Sequence, residues 1–110
     1  MAMILRGSTE RDDNGIPTGK NYLYLTSATG ATLVKATPGF LGYVTFNKPV
    51  ATSVVTLYDC STTATLTGTI AVITIPSSPQ PVSMFYDVAT LNGLVVSVAT
   101  LGSDMTVTYI

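Results

Sequence analysis

Asp59, Asp87 and Asp104 are the acidic residues that follow position 20, and each stands at or near the end of a segment with strand character. Two of them meeting at one rim of a sheet would resemble the acid pair of a glycosidase or a calcium site. The commoner use of Asp at such positions is to accept backbone N–H bonds in the adjoining turn, and that is the reading preferred here. The chain has no histidine and a single cysteine, Cys60. Structural zinc ligand sets, a Ser-His-Asp triad and a Cys-His pair are therefore impossible within one chain. Cys60 has no partner for an internal disulfide and reads as a small apolar filler at a strand end. Asp12-Asp13-Asn14-Gly15 starts like a calcium loop but lacks the alternating acidic spacing and the closing glutamate, so it reads as a turn. Neither glycine-rich phosphate-binding pattern is present, which leaves nucleotide binding without support. The expectation is a protein that is not an enzyme and takes no cofactor. Six tyrosines, at positions 22, 24, 43, 58, 86 and 109, could stack on sugars. Tyr86 and Tyr109 instead fall on the apolar faces of their segments and belong to a core or an interface.

The elements that would carry these residues are short strands separated by turn residues, the pattern of a sandwich or barrel. Strands are expected over 21–26, 32–37, 40–47, 53–60, 70–75, 82–88, 94–99 and 105–109, the eighth being the allowance in a count of seven. Pro38-Gly39, Lys48-Pro49 and Asn92-Gly93 mark turns, and Pro76 to Pro81 reads as a rigid connector between two sheets. Along 40–47, Val44 and Phe46 share one face and Tyr43 and Thr45 the other. Along 53–60 both faces are partly apolar, which places that strand centrally in its sheet. Met105, Val107 and Tyr109 alternate with Thr106 and Thr108 in the cleanest period-2 run of the chain. No run of helical period lasts ten residues. The expected fold is all-β, an antiparallel sandwich of jelly-roll or immunoglobulin-like topology over 21–110, preceded by an extended arm over 1–20.

Charge is distributed unevenly. Six of the eleven charged residues (Arg6, Glu10, Arg11, Asp12, Asp13, Lys20) lie in the first twenty positions, and the whole chain is 10% charged with a net charge of −1. Soluble domains usually carry about a quarter of their residues as charged. A body this neutral suits a protein that is covered by other protein, and sheet edges without charge invite such contact. The balance offers no long-range attraction to nucleic acid or to an acidic lipid surface, and the apolar runs are too short to cross a bilayer. The first residues are also too short an apolar run for an export signal. Residues 1–20 read either as a disordered terminus or as an arm that orders on a neighbouring subunit, with Ile4, Leu5, Arg6, Arg11 and Ile16 as its contacts.

Val34-Lys35, Pro38-Gly39-Phe40-Leu41 leading into Val44-Thr45-Phe46-Asn47, and Val55-Thr56-Leu57-Tyr58-Asp59 form a recurrent set of phrases. Phe85-Tyr86-Asp87-Val88, Asn92-Gly93-Leu94-Val95-Val96 and Asp104-Met105-Thr106-Val107-Thr108-Tyr109 complete it. With them the stretch 34–109 resembles the small β-sandwich virion proteins of tailed bacteriophages, the head decoration or cement proteins. The resemblance implies a non-enzymatic structural protein on the virion surface, made in the host cytoplasm. It further implies binding to the outer face of the assembled capsid, with the major capsid protein as partner, and a homo-oligomer, commonly a trimer. It carries no catalytic residues and does not cover the arm. Two alternatives differ in class: a tail or head-fibre module that recognises a host glycan, which an exposed tyrosine cluster with convergent polar groups would favour, and a small carboxylate-dependent hydrolase, which needs two of Asp59, Asp87 and Asp104 together in a cleft.

Overall fold

β-branched and aromatic residues at alternate positions build eight strands in a computed structural model that describes residues 21–26, 30–99 and 104–110. They are β1 (Asn21–Leu25), β2 (Gly30–Lys35), β3 (Gly39–Lys48), β4 (Val54–Tyr58), β5 (Thr69–Thr74), β6 (Val82–Thr90), β7 (Leu94–Ala99) and β8 (Asp104–Tyr109). Among the described residues there is no helix. The expected arm at 1–20, with Ile4, Leu5, Arg6, Arg11 and Ile16, lies outside the described residues.

The strands form two four-stranded antiparallel sheets, ordered β1-β8-β3-β6 and β2-β7-β4-β5. The pairings β1 with β8, β2 with β7, β3 with β6 and β4 with β5 are nested, as in one long hairpin folded around a barrel. That is the jelly roll, and it settles the two topologies left open by the sequence. β4-β5 is the one consecutive pair within a sheet, and every other connection crosses between sheets. The Pro76–Pro81 segment is such a crossover, from β5 to β6. β4 lies between β7 and β5, a central strand as its two apolar faces require.

The core is the seam between the sheets. Leu25, Leu41, Val44, Phe46, Met105 and Val107 from one sheet meet Val55, Leu57, Ile73, Leu94, Val96 and Val98 from the other. Tyr86 and Tyr109 pack against this cluster, in keeping with their apolar faces. Cys60 is buried as a free thiol directly after β4. Strand limits differ from expectation where bulges and turns intervene. β2 opens at Gly30, where φ is +88°, and stops at Lys35 after Val34 is inserted against β7. β6 continues to Thr90, past a bulge at Asp87. The turn at Asn92-Gly93 forms, yet neither residue takes a positive φ. A primed hairpin turn is not needed there, because β6 and β7 belong to different sheets.

Candidate docking face

The outer face of the β1-β8-β3-β6 sheet is arranged by a kink in its central strand. Between Leu41 and Tyr43 on β3, the partner β6 runs from Val88 to Phe85, one residue more, and Asp87 adopts φ +55° in the slack. Asp is among the few residues that tolerate this conformation. On the other side, β3 runs from Leu41 to Val44 while β8 moves only from Tyr109 to Val107. The extra residue leaves a backbone donor out of step with the ladder, and the Tyr43 N–H donates to Thr108 Oγ1 at 2.7 Å. The shift turns Leu41, Val44 and Phe46 all inward and puts Tyr43 outward.

Two rows of side chains then cross the sheet. Tyr22 lies opposite Thr108, Thr108 bonds to Tyr43, and Tyr43 lies opposite Phe85. The next row runs Tyr24, Thr106, Thr45, Ser83. Four strands at their ordinary spacing make this face about 14 Å wide. Tyr22, Tyr24, Tyr43 and Phe85 are 71%, 51%, 40% and 59% exposed. The Tyr43 and Phe85 rings sit 4.8 Å apart between centroids and tilted by 48°. The hydroxyl row is tied together within the sheet: Thr45 Oγ1 and Ser83 Oγ are 2.9 Å apart, and Asn47 Nδ2 donates to Thr106 Oγ1 at 3.1 Å. None of these nine residues is charged. Lys48 and Asp104 stand opposite each other at the sheet's end, where Asp104 accepts a long bond of 3.4 Å from the Tyr24 hydroxyl.

The opposite sheet is equally short of charge on its outer side. Val72 and Leu33 are exposed, and Val95 between Leu33 and Tyr58 is fully buried. At one end of the sandwich Lys35, Pro38, Gly39, Phe40, Ala89 and Ile110 line an open groove of about 370 Å³.

The three candidate carboxylates are dispersed. Asp87 stands across from the Gly42 kink and Asp104 opposite Lys48, six residues further along β3 and so about 20 Å away. Asp59 follows β4 in the other sheet, where its carboxylate is occupied by the turn between β6 and β7. It accepts the N–H groups of Leu91 (2.9 Å), Asn92 (2.8 Å) and Gly93 (3.2 Å). The expectation of an acceptor in the adjoining turn is corrected for Asp59: its carboxylate serves a turn 32 residues away, brought beside it because β4 pairs with β7. Partial burial raises the Asp59 carboxyl, and the three backbone donors outweigh this and leave it below its ordinary value. Among the described residues no cluster of His, Cys, Asp or Glu could hold a metal ion.

Of the six tyrosines, the structure brings Tyr22, Tyr24 and Tyr43 together on the outer face and adds Phe85 of β6. The available signal was an aromatic at the polar position of three strands. Fold and site define the class: a jelly-roll sandwich whose described carboxylates form no pair and whose broadest feature is a neutral aromatic sheet face. Comparison with protein-family models, with curated proteins and with solved structures returns no match for this chain.

Proposed function

We propose that this chain is a non-enzymatic structural protein of a tailed-bacteriophage virion, a homo-oligomer that binds the outside of the assembled capsid and stabilises it. The observation that carries the reading is the neutrality of the sandwich: its outer sheet faces present hydroxyls and apolar side chains, including Tyr22, Phe85 and Val72, where a free monomer would present charge. Such surfaces suit burial against other protein. Each contact is modest, and several engaged in fixed geometry give high effective concentration and slow release. The major capsid protein is the partner in this reading, and residues 1–20 add a further point of attachment.

The test is to mix the purified full chain with undecorated capsids and sediment them. Saturable co-sedimentation, together with raised capsid resistance to heat or chelation, is expected. A chain that stays in the supernatant at all concentrations overturns the reading.

The second reading, a fibre module that recognises a host glycan, is favoured by one observation, the exposed group formed by Tyr22, Tyr24, Tyr43 and Phe85 with hydroxyls between them. Saturable quenching of tyrosine fluorescence by a neutral host polysaccharide, with no capsid binding, would select it.

A further inference from the structure

Exposed aromatic side chains on a flat sheet leave a large apolar area in water unless something covers it. Tyr22, Tyr24, Tyr43 and Phe85 together leave roughly 450 Å² on show, at about 200 Å² for each ring side chain. A standard interface buries about 800 Å² per partner, so the rings alone supply half of one, and the hydroxyl row beside them widens the footprint. We infer that a second copy of this chain covers the outer face of the β1-β8-β3-β6 sheet, with Tyr22, Tyr43 and Phe85 at the centre of the contact. The inference rests on the homo-oligomer proposed above and assigns its interface.

Three features select a copy of the same chain over other occupants. In a two-fold contact a charge near the axis meets its own duplicate, and a face without charge meets itself with no like-charge cost. Here the charged residues of the four strands are Lys48 and Asp104 at one end and Asp87 at the bulge on the edge strand β6, so the centre of the face is neutral. The side chains beside the rings already bond within the sheet, Thr45 with Ser83, Asn47 with Thr106 and Thr108 with the Tyr43 N–H, so a dry contact over them keeps each with a partner. A sugar would need those same groups to turn outward. The rings also share no plane, since Tyr43 and Phe85 are tilted by 48°, whereas interlocking with the rings of a second copy needs no common plane.

The experiment is light scattering on the full native chain across a concentration series, beside Tyr43→Lys, Phe85→Lys and Tyr22→Lys, with Val72→Lys on the other sheet as a control of comparable exposure. All four positions are solvent-facing, and a cooperative thermal melt identifies the variants that remain folded. The native chain and Val72→Lys are expected to share one oligomeric mass, while the three face variants dissociate with at least a tenfold weaker association. Native and face-variant masses that are equally oligomeric would overturn the assigned face and leave the homo-oligomer standing. A native chain that is monomeric throughout would remove both. Dissociation by Val72→Lys alone would move the interface to the β2-β7-β4-β5 sheet, and a monomer whose tyrosines are quenched by neutral polysaccharide would give the face to a glycan.

Discussion

The Asp59 carboxylate accepts the backbone N–H of Asn92 at 2.8 Å, joining the end of β4 to the turn that links β6 and β7. The same carboxylate serves Leu91 and Gly93, so one side chain satisfies three consecutive donors. The site is crowded around it. A Cβ at Gly93 would lie 2.5 Å from the carbonyl oxygens of both Cys60 and Lys35, and one at Gly68 would lie 2.6 Å from that of Asp59. The loop after β4 is closed by the Asp59 N–H donating to the Gly68 carbonyl at 2.7 Å. One acidic residue thus organises one end of the sandwich.

Replacing Asp59 by Ala is expected to destabilise the domain by about 1–3 kcal/mol, the cost of removing a charged acceptor from three backbone donors, of which the Gly93 N–H is partly buried. Urea denaturation measures it. The pH dependence follows from the lowered carboxyl. A group whose folded pKa lies below its unfolded value contributes stability that is complete above the ordinary value of 3.8 and is lost as pH falls through the folded value. The native chain should therefore lose stability on acidification below pH 3.8, and Asp59→Asn should flatten that limb. Parallel acid limbs in the two proteins would contradict the assignment.

Thr52 holds φ at +63° in the turn between β3 and β4, where its N–H donates to the Ile75 carbonyl. A β-branched residue is strained in this left-handed region, whereas Asn adopts it more readily. Thr52→Asn is expected to raise stability by roughly 0.5–1 kcal/mol, a fraction of the usual strain at such sites. An upward shift of the thermal midpoint checks it, and a lower midpoint would show that the Thr52 side chain contributes more than its backbone costs.

Val107 is completely buried, paired in register with Leu23 on one side and Val44 on the other. Val107→Asp places a carboxylate in the seam between the sheets at a cost of several kcal/mol, a large part of the total stability of a small domain. Loss of the cooperative unfolding transition by circular dichroism is the expected outcome.

Removal of residues 1–20 should leave the sandwich folded, because the described core runs from Leu25 to Val107 and closes on itself. Capsid binding should weaken if the arm is an attachment point. A truncated chain without a cooperative melt would show that the arm supports the fold, and one with undiminished capsid binding would remove the arm from the contact.

Strand identity was legible because most strands are short, alternate β-branched or aromatic residues with others, and are bounded by turn residues such as Pro, Gly, Asn or Asp, which are local properties. The inward set was legible for the same reason in β3 and β8: Val44 and Phe46, and Met105 and Val107, alternate with more polar neighbours, and a period of two needs no knowledge of the neighbouring strand. The bulges were not. An extra residue at Val34 or Asp87 exists only relative to the strand beside it, so β2 and β6 began or ended away from their expected limits.

The order and types of residues by themselves determined that this chain folds as an all-β sandwich without the residues for histidine or paired-thiol chemistry, since neither pattern nor residue count depends on which strands meet. Tertiary structure alone decided between jelly roll and immunoglobulin order, because that choice is a matter of which distant strands share hydrogen bonds. It also decided the fate of the side chains that make the site. Asp59 found its donors 32 residues away, and Tyr22, Tyr43 and Phe85, from β1, β3 and β6, became one surface only when β8 closed between β1 and β3. Aromatic residues on the polar side of separate strands carry no local mark of whether they will be scattered or side by side, and the pairing of the strands supplies it.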